Sequence, residues 1–223
     1  MTEKSSGKSS RGVTVRVKTA RGRTTSSSRW LQRQLNDPYV VRAKREGYRS
    51  RAAYKILELD EKFKFLSAGK HVVDLGAAPG GWAQVAVQKC GAGNVVGIDL
   101  LEMSPIPGAT LLQMDFMDDD APDKLKSLMP NVHIVLSDMA PNASGQPDLD
   151  HLRILVLVEA AFEFATQVLK PGGVFVAKVW QGGTEHKLLE RMKTHFTTVR
   201  HAKPKSSRQD SAETFVVAMG FKG

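Results

Sequence analysis

One cysteine, Cys90, stands among 223 residues. It excludes an internal disulfide and has no metal-ligand partner at a recognisable spacing, so the sequence predicts a fold without metal in a reducing compartment. Cys90 itself is expected as a small buried thiol. Long apolar runs are missing too. None approaches the roughly 20 residues that a membrane span needs, which points to a soluble, cytoplasmic protein. Acidic residues are scarce at one end, where Glu3 is the only carboxylate of residues 1–28. That Arg/Ser-rich stretch has the composition of an organelle transit peptide but no clear apolar helical face, which leaves a mitochondrial location open. It reads as a disordered basic arm, because Ser, Gly, Lys and Arg without large apolar residues cannot bury enough surface to offset the entropy of ordering.

What the chain does have is positive charge, unevenly placed. Residues 1–55 hold 15 Lys/Arg against 3 Asp/Glu, a balance of +12, while residues 56–223 hold 17 against 20, a balance of −3, giving the formal +9. A basic segment beside a near-neutral globule is the footprint of a polyanion binder, and nucleic acid is favoured over an acidic membrane surface. The length suits one domain, residues 29–223, after the arm. Within it, 29–65 reads as a basic helical segment facing the nucleic acid. Arg29, Arg33, Arg42, Lys44, Arg45, Arg49 and Arg51 are expected to track phosphates, with Lys203, Lys205 and Arg208 as a second contact and an affinity that falls with salt. Trp30 and Tyr39 interleave with this charge, either stacking on bases or packing on the globule.

From Val72 onward, short β-branched runs alternate with helical stretches. Strands are predicted at 72–75, 94–99, 110–114, 132–136, 174–177, 197–199 and 214–219, and helices at 82–89, 122–129, 151–169 and 185–194. Lys170-Pro171-Gly172-Gly173 is read as the stop after the longest helix. This alternation predicts an α/β fold with a doubly wound, mostly parallel seven-stranded sheet carrying helices on both faces. The last two strands lack a long helix between them, so they are expected as a hairpin that adds an antiparallel strand at or near the edge.

The loop Asp74-Leu75-Gly76-Ala77-Ala78-Pro79-Gly80-Gly81-Trp82 lies between the first strand and its helix, where a doubly wound sheet opens its ligand crevice. Glycines at 76, 80 and 81 do not match the dinucleotide spacing, and Pro79 removes an N–H that a pyrophosphate would use. Asp99 ends the second strand, placed to accept hydrogen bonds from two ribose hydroxyls. A nucleoside without phosphates fits these features, and S-adenosylmethionine is such a ligand. Asp115, after the third strand, is placed to hold its adenine amino group. Trp82 either stacks on the ligand or packs between helix and sheet. Gly76, Gly80, Gly81, Trp82, Asp99 and Asp115 are the resulting candidates for the cofactor site.

Three more charged residues reach the same edge of the sheet by topology. Asp138 follows the fourth strand, Lys178 ends the fifth, and Glu213 begins the last. A lysine ending a buried strand beside the crevice is a functional candidate.

Taken together, Ser28-Arg29-Trp30-Leu31, Tyr48 to Lys55, Asp74 to Trp82, Ser137 to Asn142, Val176-Ala177-Lys178-Val179 with Gln181-Gly182, and Ser206-Ser207-Arg208 before Glu213 form a specific pattern. Across about 28–220 the chain resembles the FtsJ/RrmJ family, the large-subunit ribosomal RNA ribose 2′-O-methyltransferases. The resemblance implies the class I, Rossmann-like methyltransferase fold and a catalytic tetrad of Lys55, Asp138, Lys178 and Glu213. It also implies cofactor contacts from Gly80, Trp82, Asp99, Asp115 and Asp138. The implied reaction moves a methyl group from S-adenosylmethionine to a uridine ribose 2′-hydroxyl on the assembled large ribosomal subunit, performed by a monomer.

Such a hydroxyl is a poor nucleophile while neutral, so positioning and proton removal are both required. Lys178 is either the base or a charged partner of the developing alkoxide. Burial and Lys55 favour its neutral form, and Asp138 and Glu213 its charged form. Methylation of a tRNA or an mRNA cap, and a non-catalytic ribosome assembly factor, are the rival functions. The intact tetrad speaks against the factor. An amino-methyltransferase would carry an Asn/Asp-Pro-Pro-aromatic motif where this chain has Asp138-Met139-Ala140-Pro141.

Overall fold

The computed structural model describes residues 31–141, 144–180 and 186–223. The arm 1–28, Arg29, Trp30, Asn142, Gln181, Gly182 and Glu185 lie outside the described residues. The elements in chain order are α1 (Pro38–Glu46), α2 (Ala52–Phe63), β1 (Val72–Leu75), α3 (Gly81–Cys90), β2 (Val95–Asp99), β3 (Ala109–Gln113) and α4 (Ala121–Leu128). Then come β4 (Val132–Ser137), α5 (Pro147–Val168), β5 (Leu169–Trp180), α6 (His186–His195), β6 (Phe196–Ala202) and β7 (Glu213–Phe221).

Local chemistry explains the helix ends. Asp37 caps α1 by accepting the Tyr39 N–H, Pro38 occupies the first turn, and Gly47 closes the helix in the left-handed region behind Lys44 and Arg45. α5 starts at Pro147, earlier than the apolar periodicity suggested, with Asp148 and Asp150 in its first turn beside the positive end of the helix dipole.

The strands form one sheet in the order β3-β2-β1-β4-β5-β7-β6. Neighbours from β3 to β5 are parallel, and β7 runs antiparallel to both β5 and β6. The expected terminal hairpin forms, but its second strand is the inner one. Phe215 to Ala218 are fully buried and need a neighbour on each side, whereas β6, partly exposed and polar, occupies the edge. The long helix does stop at Val168, ahead of Lys170–Gly173, but Leu169 is not its last turn: β5 already begins there, paired with Val132. A register shift then lets regular pairing resume at Ile134 and Val174, so the Pro-Gly-Gly stretch is an irregular strand start.

Two apolar layers sandwich the sheet. α2 and α3 cover one face with Ile56, Leu59, Trp82, Val85 and Cys90. α4, α5 and α6 cover the other with Leu125, Phe162, Ala165, Leu188 and Met192. Cys90 is buried as expected, and burial raises its thiol above the ordinary range. No helix among the described residues is long and apolar enough to cross a membrane.

Candidate active site

Strand order reverses between β1 and β4, and the crevice opens at their carboxyl ends. Gly76 sits there with φ +74°, and a Cβ on it would lie 2.7–2.9 Å from Met139 Cγ, Cα and N. The loop after β1 therefore lies against the loop after β4. Gly80 and Gly81 serve a different neighbour. A Cβ on Gly80 would meet Ile106 Cδ1 at 2.7 Å and Arg49 Cδ at 3.1 Å, and one on Gly81 would collide with Ser50 Oγ. These two glycines admit the segment leading into α2. Trp82 is 2% exposed, donates from Nε1 to the Ala52 carbonyl at 2.9 Å and packs its ring 5.6 Å from that of Phe215. Of the two roles open to its side chain, the structure selects packing between helix and sheet.

A cavity of about 660 Å³ occupies the crevice, and Gly76, Asp99, Asp115, Asp138 and Met139 are among its lining residues. Each Asp99 oxygen already accepts one backbone N–H at 2.9 Å, from Ala78 and from Leu101. The remaining lone pairs are free to receive two further donors. Asp115 Oδ1 accepts the Met117 N–H, which fixes its carboxylate at the rim. The outer walls are apolar: Leu100, Leu101, Met117, Leu152 and Val156 line the cavity although each is exposed to solvent.

Beside the cavity, β5 and β7 place Lys178 opposite Phe215 and Trp180 opposite Glu213, so Lys178 and Glu213 share a face of the sheet. Lys178 Nζ lies 3.0 Å from Asp138 Oδ1 and donates to the Asp138 carbonyl at 2.6 Å. The carboxylate contact is an ion pair without an aligned hydrogen bond, since Oδ1 has no hydrogen-bonded partner among the described residues. α2 brings Lys55 Nζ within 2.7 Å of Glu213 Oε2. All four side chains of the expected tetrad therefore converge as two ion pairs. For Asp138, burial pushes the carboxyl up, but Lys178 and Lys55 outweigh it and hold the group below the usual range.

Asp74 was not singled out from the sequence beyond its place in the loop. Its signal was an acid inside the apolar run Val72-Val73-Asp74-Leu75, a strand buried on both faces. Its side chain is fully buried and neither oxygen has a hydrogen-bond partner among the described residues. Burial, Asp138 and Asp99 raise its carboxyl well above the ordinary value, against a small opposing pull from the Ala83 backbone. As pH rises past about 4 the unfolded carboxyl ionises while the buried one stays protonated. The folded state then holds the extra proton, so stability falls with rising pH until the folded value is reached. Thermal melts of wild type and Asp74→Asn between pH 5 and 8 are expected to diverge, the wild type losing ground as pH rises. Parallel curves would mean that Asp74 is ionised in the folded protein.

A family model for FtsJ-like methyltransferases matches residues 48–221. This chain is an FtsJ-like methyltransferase. Among its relatives, proteins named ribosomal RNA large subunit methyltransferase E are 62% identical in Paramagnetospirillum magneticum, over 96% of this chain and 91% of that protein, and 63% identical in Maricaulis maris, over 93% and 75%. A crystal structure of a ribosomal RNA methyltransferase from Plasmodium falciparum superposes with a TM-score of 0.70 at 33% identity, covering 79% of this chain and all of that one.

In this FtsJ-like methyltransferase, part of the basic segment read as phosphate contacts is committed to the fold. Arg49 donates to the Ser104 and Pro105 carbonyls, each at 2.6 Å, and its N–H reaches Gln84. Arg51 is 15% exposed and paired with Asp37. Arg42 pairs with Glu46 at 2.8 Å, and the Tyr39 ring packs at a 50° tilt against Tyr54, centroids 5.4 Å apart, rather than standing clear for a base. Lys44, Arg45, Lys203 and Lys205 remain exposed. The sequence reading missed this because Coulomb partners distant in sequence decide whether an arginine is free.

Proposed function

We propose that this FtsJ-like methyltransferase transfers the methyl group of S-adenosylmethionine to a uridine ribose 2′-hydroxyl of large-subunit ribosomal RNA, acting in the cytoplasm as a monomer on the assembled subunit. The observation that carries the reading is the convergence of Lys55–Glu213 and Lys178–Asp138 beside a carboxylate-lined cavity. The names of the close relatives support the choice of RNA.

The residues present fit the cofactor. Asp99, Asp115 and Asp138 line the cavity with carboxylates that repel a pyrophosphate and suit a cationic nucleoside. Asp99 receives the ribose hydroxyls and Asp115 the adenine amino group, while Gly76 lets the backbone approach closely. Gly80, Gly81 and Trp82 contribute loop backbone to the cofactor site, while the Trp82 side chain sets the loop against α2. When bound, the cofactor supplies an electrophilic methyl group on a sulfonium. As the neutral amine, Lys178 Nζ would accept the proton of the 2′-hydroxyl while the ribose oxygen bonds to the methyl carbon and the carbon–sulfur bond breaks, releasing the neutral thioether. Asp138 would orient the amine and stabilise the ammonium that results. Lys55 and Glu213 align the acceptor ribose. The Lys178–Asp138 ion pair favours a second reading, in which a charged Lys178 steers the alkoxide and moves the proton only late. Exposed Lys44, Arg45, Lys203 and Lys205 hold RNA phosphates, so affinity falls with salt.

The test is transfer of labelled methyl to purified large subunits, followed by digestion of the RNA. Label is expected on a ribose 2′-oxygen. Label on a base would exclude the ribose assignment, transfer to tRNA alone would replace the substrate, and no transfer to any RNA with cofactor bound would favour an assembly factor.

A further inference from the structure

We infer that Ser207 is a positioning residue for the Lys55–Glu213 pair, kept in place by a clasp between α2 and the loop joining β6 to β7. This rests on the reading of Lys55, Asp138, Lys178 and Glu213 as the catalytic group. Glu213 is held at both oxygens: Oε2 accepts from Lys55 at 2.7 Å, and Oε1 accepts from Ser207 Oγ at 2.8 Å. Ser207 is 5% exposed, so water does not compete for that bond.

The clasp lies on one face of α2. Arg51, Lys55 and Glu58 follow at intervals of four and three residues, which aligns them along the helix. Arg51 Nη2 donates to the Ser206 carbonyl, and Glu58 accepts the Ser206 N–H at 3.1 Å. Ser206 is thus gripped from both ends of a stretch of helix whose middle residue, Lys55, meets Glu213. Asp37 secures the grip by pairing with Arg51 and lying 3.5 Å from Arg208. The Ser207 N–H bonds back to Pro204 at 3.0 Å, which turns its hydroxyl toward Glu213.

A glutamate has three side-chain torsions and shares its face of the sheet with a second cation, Lys178. With one oxygen taken by Ser207, the carboxylate plane is set so that the other faces Lys55, and Lys178 is left to Asp138. Removing the hydroxyl frees Glu213 to rotate, which degrades the geometry of the reacting groups without touching the cofactor cavity.

The expected result for Ser207→Ala, assayed with S-adenosylmethionine and purified large subunits, is a kcat lower by about tenfold or more, the scale of one charge-assisted hydrogen bond. KM for both substrates should stay near wild type, the melting temperature should fall by no more than about 2–6 °C, and Ser207→Thr, which keeps the hydroxyl, should recover most of the rate. In a Glu213→Gln background, Ser207→Ala should cost little more, because both act through one carboxylate. Wild-type kcat in Ser207→Ala, an unchanged kcat with a raised KM, or equal loss in the Ala and Thr variants would each overturn the proposal. Lys178→Ala and Glu213→Ala run alongside: if both keep wild-type kcat, the catalytic reading itself has failed. If both lose activity while Ser207→Ala does not, only the positioning role has.

Discussion

Lys178→Ala is expected to lower kcat by about a thousandfold while the protein still binds S-adenosylmethionine, since a positioned proton-transfer group contributes roughly 10²–10⁴-fold. Lys178 is 9% exposed at the end of β5, and its nitrogen is set by two contacts to a single residue, Asp138. No other described lysine touches that carboxylate, so nothing replaces the lost nitrogen. Lys178→Arg separates the two readings of its role. A guanidinium stays charged and cannot act as a base near neutral pH. If steering by a cation suffices, the Arg variant keeps measurable activity, and if a neutral amine is required, it is as inactive as the Ala variant. Equilibrium binding of the cofactor, measured by calorimetry on all three proteins, keeps a binding defect from being mistaken for a chemical one. Wild-type turnover in Lys178→Ala would remove Lys178 from the chemistry.

Gly76→Ala should damage both stability and cofactor binding. A non-glycine residue held at φ +74° costs about 1–3 kcal/mol, and the added methyl group would sit 2.8 Å from Met139 Cα and 2.9 Å from its N. Backbone atoms cannot swing aside as a side-chain tip does. Met139 must therefore move, and Asp138, its chain neighbour, moves with it. For a domain of this size 1–3 kcal/mol corresponds to a melting temperature lower by roughly 2–12 °C. The expected outcome is a fall in that range, together with a cofactor Kd raised by about tenfold or more, equivalent to about 1.4 kcal/mol. A variant with wild-type melting and binding would show that the loops after β1 and β4 do not depend on their close approach.

Much of the fold is legible in the sequence, for local reasons. β1, β2 and β4 announce themselves as short β-branched runs, and α3 and α5 by periodicity and length. Where the reading slipped, the deciding contact was distant. Leu169 was assigned to a helix end although it pairs with Val132. Arg49 and Arg51 looked like phosphate ligands until Ser104, Pro105 and Asp37 were found to hold them. That Gly80 and Gly81 also admit the segment leading into α2 was not legible in the loop itself.

The site divides along the same line. The residue types and their places at strand ends were set by the sequence alone: Asp138 after β4, Lys178 at the end of β5, Glu213 at the start of β7, Asp99 closing β2. So were the uneven charge and the absence of a phosphate-binding loop. The tertiary structure alone decided that β7 inserts between β5 and β6, that Lys55 pairs with Glu213 and Lys178 with Asp138, that Trp82 packs instead of stacking, and that Asp74 is buried without a partner among the described residues. The reason is physical. Helix and strand preferences are properties of neighbouring residues, but burial, ion pairing and the shift of a titrating group depend on which surfaces meet, and in an α/β sheet those surfaces come from segments far apart in the chain.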